Sequence, residues 1–129
     1  MDVRTIFAVG LGAALGGIGR LLVTQFVIAR AGTVAAPWAT FFINVSGSFL
    51  IGVVFELGAS RVGLPLIWRY FLATGILGGY TTFSTFSFEA LSYLSTGLVI
   101  NAFVYVAGSV LLGIAGAFAG ILTARALAL

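Results

Sequence analysis

Four apolar runs of bilayer length, separated by only a few residues each, tile nearly the whole chain, at about residues 6–28, 38–57, 66–94 and 98–122. A hydrocarbon core takes about 20 apolar residues per helical crossing, and the backbone within it must satisfy its own polar groups. The expected fold is therefore an all-α integral membrane protein, with four transmembrane helices forming a single transmembrane unit over residues 1–129. Nothing soluble is expected to hang off it. With 61% apolar and 7% charged residues, the surface is one that water cannot cover.

The same composition removes whole classes of chemistry. Cysteine, histidine and lysine are absent, which excludes disulfides, thiolate or imidazole zinc sites, histidine acid–base catalysis and Schiff-base lysines. An enzyme is hard to build from what remains. The net charge of +3 comes from arginines at positions 4, 20, 30, 61, 69 and 125, too dispersed to suggest nucleic-acid binding. Anchoring at the membrane flanks is the simpler reading. The first run could pass for a signal peptide, but Asp2 makes a poor charged leader and apolar runs continue throughout, so it is expected to be retained.

Punctuation between the runs fits four spans. Arg20 and Gln25 interrupt the first near its end, and Arg30-Ala31-Gly32 closes it. Pro37, beside Trp38, suits the first turn of the second helix, where a missing amide hydrogen costs nothing. Glu56 and Arg61 mark the far interface of that span. After Gly63-Leu64-Pro65, the third span opens with Trp68, Arg69 and Tyr70, the aromatic and basic anchors of a headgroup belt. Gly97 precedes the fourth, and Arg125 lies at its far end.

Of the 18 glycines, several stand four apart from another small residue: Gly12 with Gly16, Gly75 with Gly79, Ser109 with Gly113, and Gly116 with Gly120. In lipid, helix association relies on such close packing. Four short helices with this much small and polar surface are expected to assemble as a homo-oligomer, most simply a dimer. With both termini on one side, that side carries Arg4, Arg61, Arg69 and Arg125 against Arg30 on the other. The positive-inside rule then gives a mild preference for cytoplasmic termini.

The chemistry concentrates in the third span, at Gly78-Gly79-Tyr80-Thr81-Thr82-Phe83-Ser84-Thr85-Phe86-Ser87. A break in the backbone is expected at Gly78-Gly79, and broken backbone at membrane depth is tolerated only where it is buried in protein or lines a polar cavity. Beyond the break, at about 100° per residue, Phe83, Phe86 and Ala90 form one stripe and Thr82, Thr85 and Glu89 the next. Phenyl edges are electropositive, so two rings edge-on can attract a small anion weakly. Hydroxyls of Ser84, Thr85, Tyr105 and Ser109 and the Asn44 amide can donate to it. The residues alone favour the plainer reading, in which the phenylalanines pack or face lipid and the hydroxyls bond back to their own helix.

This string, followed by Glu89, resembles the signature of the Fluc (CrcB) fluoride channels. The similarity extends to Gly12 through Arg20, to Asn44 with Ser46 and Gly47, and to Tyr105 through Ser109. The resemblance implies a dual-topology homodimer of two antiparallel subunits, with the third helix broken and two fluoride pores along the subunit interface. It implies that Phe83 and Phe86 line the pores with ring edges, with Asn44 as the pore asparagine. Ser84, Thr85, Tyr105 and Ser109 are implied as a polar track, Glu89 as the acid near it, and Arg20 as the basic residue of the vestibule. It also implies a structural sodium ion at the dimer centre, held by backbone carbonyls of Gly78 and Thr81 from both subunits. Tyr80 stands where a smaller residue is expected, which changes packing beside the break but not a carbonyl site. A hard cation on the two-fold axis would satisfy carbonyls that the break frees; a bare kink with carbonyls bonded by Thr81 or Thr82 hydroxyls would do so too.

Arg20 either guides anions or snorkels and pairs. Glu89 is expected to accept hydrogen bonds from the hydroxyl stripe. The expected function is passive fluoride efflux across a bacterial plasma (inner) membrane, giving fluoride resistance without an ATP site. The competing class is a small dual-topology, proton-coupled multidrug exporter, which needs an embedded carboxylate, usually in the first helix. None is present there. A non-transporting subunit of a larger complex is a third possibility, which flux from the purified chain alone would exclude.

Overall fold

The computed structural model describes residues 2–60 and 63–127, so Arg61 of the expected interface lies outside the described residues. All regular structure in it is helical. Helix α1 spans Val3–Ala31, starting where the Asp2 carboxylate accepts the Arg4 amide at 3.2 Å and stopping at Gly32, whose φ of 80° ends the helix. After a short 3₁₀ turn at Thr33–Ala35, helix α2 covers Ala36–Ala59 with Pro37 in its first turn. Helix α6 spans Val99–Leu127. Three helical stretches, Val3–Ala31, Thr33–Ala59 and Val99–Leu127, are long and apolar enough to cross a membrane.

The third span is not one helix. It begins as α3 (Leu66–Arg69), widens into a π-helical segment at Tyr70–Leu77, and returns to α geometry in α4 (Gly78–Tyr80). Thr81 and Thr82 are then extended, with ψ of 160° and φ of −150°, before α5 (Phe83–Ser95). The break therefore falls at Thr81-Thr82, not at the expected Gly78-Gly79. The two glycines are helical because they serve packing. A Cβ on Gly79 would stand 2.4 Å from the Ala13 carbonyl oxygen of α1, so only hydrogen fits there. The π segment, a geometry that is rare and often near functional sites, had no signal in the periodicity.

Packing partners fix the direction of every element. Gly12 meets Phe71 and Gly75, and Gly16 meets Ile76 and Tyr80, so α1 runs parallel to residues 66–80. Gly116 approaches Val45, Gly120 approaches Phe49, and Arg125 pairs with Glu56, so α2 and α6 are parallel to each other. Contacts of Gly47 with Thr81 and of Gly58 with Arg69 run α2 antiparallel to the third span. The result is an up–down–up–down bundle made of two tight pairs. A Cβ at Gly16 would lie 2.0 Å from the Ile76 oxygen, and one at Gly120 2.0 Å from the Phe49 oxygen, so both pairs depend on backbone meeting backbone.

Among the described residues, Arg4, Arg69 and Arg125 share one end of the bundle, and Arg30 stands at the other. Few large side chains are buried: Ile43, Leu77 and Tyr105 are, whereas Phe7, Phe83, Phe88, Ile100 and Phe103 are open by more than 70%. In a chain with spans of this length, such faces meet lipid or another protein.

Candidate functional site

The break is held from across the bundle by one side chain. The Thr82 amide, which would bond the Gly78 carbonyl in an unbroken helix, donates instead to Asn44 Oδ1 at 2.9 Å. Asn44 Nδ2 donates back to the Thr82 carbonyl at 3.0 Å. A carboxamide thus stands in for a peptide unit and satisfies both extended-backbone groups. Thr81 is tied on the other side: its amide and hydroxyl both donate to the Leu77 carbonyl at 2.9 Å, and its own carbonyl accepts from Arg20 Nη1 at 3.2 Å. Tyr80 and Ser46 share a hydrogen bond at 3.1 Å, which fixes the bulky ring between α1 and α2.

Below the break, Thr82 caps α5 by accepting the Thr85 amide at 3.3 Å and donates to the Thr85 hydroxyl at 3.1 Å, with the Ser84 hydroxyl at 3.4 Å. These hydroxyls gather at the start of α5 because Ser and Thr favour helix N-termini.

A cavity of about 330 Å³ lies against the break, walled by Asn44, Gly78, Thr81, Phe83, Phe86 and Ser109 among others. The Phe83 and Phe86 rings are 5.9 Å apart between centroids and tilted by 44°. Ser109 Oγ is buried and has no hydrogen-bond partner among the described residues. A buried, unpaired hydroxyl costs about 1–3 kcal/mol, so its place in the wall of a cavity marks a position suited to a polar guest.

Glu89 lies beside this cavity in a separate cluster. Its carboxylate accepts from Tyr105 Oη at 2.6 Å and from Thr40 Oγ1 at 3.0 Å, joining α5 to α6 and α2. These donors come from neighbouring helices, not from the stripe on α5 expected to serve it, because Thr82 and Thr85 are spent on the cap. The Phe86 ring stacks at 5.3 Å from that of Tyr105, linking the cluster to the cavity wall.

Of the residues expected at the site, Asn44, Phe83, Phe86, Ser109, Gly78 and Thr81 therefore share one cavity. Ser84 and Thr85 sit at the α5 cap, Glu89 and Tyr105 in the adjoining cluster, and Arg20 on the opposite side of the break as a backbone clamp. Thr40 was not foreseen; its position four residues before Asn44, on the same face of α2, is the signal that could have found it. For the expected sodium ion, the Gly78 carbonyl has lost its helical donor, while that of Thr81 already faces a guanidinium. Neutral carbonyl oxygens suit a hard cation, but two from one chain are too few to enclose it. The donor set fits only with a matching pair from a second copy.

The family model described as CrcB-like protein, Camphor Resistance (CrcB), matches residues 7–121. A relative from Rhizobium meliloti (strain 1021), described as fluoride-specific ion channel FluC, is 45% identical over 122 residues, covering 95% of this chain and 97% of the relative. Proteins of the same description from Phocaeicola vulgatus and Granulibacter bethesdensis are 43% and 48% identical, covering 92% and 80% of this chain and 97% and 80% of their own. The glycine pairs, the break and the cavity all lie inside the matched range.

Proposed function

Because the chain belongs to the CrcB family, a family of ion channels and not of enzymes, we propose that it is a fluoride-specific channel that lets fluoride leave the cell passively. The observation that carries this reading is the unpartnered Ser109 hydroxyl in a cavity walled by the Phe83 and Phe86 rings. Fluoride is small and a strong hydrogen-bond acceptor. Ser109, whose hydroxyl is unpartnered, can donate to it by turning its side chain towards the cavity, and Asn44, which spends one amide hydrogen on Thr82, retains a second. Ring edges add a weak attraction without a fixed cation. Conduction needs binding strong enough to enter and weak enough to leave, and neutral donors meet both conditions.

The finer architecture belongs to the same proposal. Phe83 is 78% exposed in the single chain and α5 buries none of its residues, which supports a pore wall completed by a second, antiparallel copy, with two pores per homodimer. Carbonyls of Gly78 and Thr81 from both copies would hold a structural sodium ion, whose charge would bind the two broken helices together. Glu89 fixes the direction in which the Thr40 and Tyr105 hydroxyls point, with one donor held on each of its oxygens. That arrangement gives no support to proton-coupled drug export, which needs a carboxylate free to exchange its proton. In a bacterial plasma (inner) membrane, fluoride that entered as neutral HF and ionised would flow outward along its gradient and the membrane potential.

The test is ion efflux from vesicles containing the purified chain alone. Fluoride is expected to leave far faster than from empty vesicles, with no matching movement of chloride or of organic cations. Equal chloride release, or organic-cation flux coupled to protons, would overturn the reading.

A further inference from the structure

Because α2 and α6 run parallel in close contact, residues a fixed number of positions apart meet turn after turn. Thr40 falls level with Tyr105, Asn44 with Ser109 and Ser48 with Gly113, each pair 65 positions apart in the chain. Successive levels are four residues, or about 6 Å, apart along the helices. The contacts follow this register. Thr40 and Tyr105 meet on the Glu89 carboxylate, Asn44 and Ser109 both wall the cavity at the break, and the Ser48 hydroxyl lies 3.5 Å from where a Cβ on Gly113 would stand.

The three levels differ in what fills them. At the first, an anionic group of the chain itself sits between the helices and accepts hydrogen bonds of 3.0 Å from Thr40 and 2.6 Å from Tyr105. At the second, Ser109 Oγ is unpartnered. At the third, α2 alone supplies a hydroxyl. The neighbouring Ser46 hydroxyl bonds the Ile43 carbonyl and Tyr80, whereas that of Ser48 has no hydrogen-bond partner among the described residues. Ser48 is half-buried and lines the same cavity as Asn44 and Ser109. Gly113 brings no side chain, so the space beside the hydroxyl stays open.

We propose that Ser48 is a further hydrogen-bond donor to the conducted ion, one helical turn from Ser109, and that the missing side chain at Gly113 leaves the ion its place. The inference rests on the channel function proposed above and adds a residue to its site. The Glu89 carboxylate at the first level shows that donors on this seam suit an anionic acceptor. Beyond it, two neutral donors in series let fluoride pass from one weak station to the next, which conduction requires.

Initial fluoride efflux would be measured from vesicles holding the unsubstituted chain, Ser48→Ala, Ser48→Ala with Gly113→Ser, or Ser48→Ala with Gly113→Ala, and melting would be followed in detergent. A hydrogen bond to an ion is worth about tenfold, so Ser48→Ala is expected to run about tenfold slower with an unchanged melting temperature. A Cβ on Gly113 makes only ordinary contact, so both double variants should fold. Serine at position 113 returns a hydroxyl to the same gap from the opposite helix and should restore efflux to within about threefold of the unsubstituted chain. Alanine there should leave it as slow as Ser48→Ala. Unchanged efflux in Ser48→Ala, a loss that follows a lower melting temperature, a serine at 113 that restores nothing, or an alanine that restores as much would each overturn the proposal. If the unsubstituted chain passes fluoride and Ser48→Ala matches it, only this inference falls; if the unsubstituted chain passes none, the channel reading falls and takes it along.

Discussion

Residues 66–80 lie so close to α1 that Gly79 has no room for a methyl group, whereas α5, which starts three residues later in the same span, buries none of its residues. The first half is held by backbone contact, and its polar side chains Arg69, Tyr70, Thr74 and Tyr80 are scattered along it. The second begins with a cluster of hydroxyls and presents two phenyl rings outward. Thr81 and Thr82 mark the change, because Asn44 and Arg20 take over the bonds that a continuous helix would have made. One half is scaffold, and the other offers side chains to whatever lies beyond the chain.

Substitutions can break that division in order of severity. Gly16→Leu forces a side chain into the Ile76 backbone and is expected to cost at least about 3 kcal/mol, seen as loss of the folded peak in size-exclusion chromatography. A folded, active Gly16→Leu would refute the packing account. Asn44→Ala removes both bonds to Thr82 and should lower stability by about 2 kcal/mol in detergent unfolding, together with fluoride flux. Ser109→Ala separates the two roles: it deletes an unpaired buried hydroxyl, so stability should hold or rise by about 1 kcal/mol while flux drops severalfold. Destabilisation there would mean that the hydroxyl serves packing. Arg125→Gln breaks an exposed pair with Glu56 and should leave both melting and flux unchanged, as surface pairs contribute little.

Much of this was legible in the sequence, and the gaps have physical causes. Span length and the glycine pairs are local signals, and they lead directly to a close-packed helical bundle, whereas which helices pair is decided by contacts far apart in the chain. The position of the break was misjudged by three residues because it is decided by Asn44, 38 positions away, and not by the flexibility of Gly78-Gly79. Glycine there answered to a neighbour's backbone. For the same reason the clamp from Arg20 and the Thr40–Glu89–Tyr105 cluster escaped notice, since each requires helices far apart in the chain to converge. The cavity residues Asn44, Phe83, Phe86 and Ser109 are legible in the sequence because residue type and resemblance point to them.

The division between a scaffold half and the proposed conducting half is tested most directly by one substitution read two ways. Phe83→Ile, at an open position on α5, should reduce fluoride efflux from vesicles by about tenfold or more, with a melting temperature indistinguishable from that of the unsubstituted chain. Unchanged efflux, or a loss of flux that merely follows a loss of stability, would contradict it.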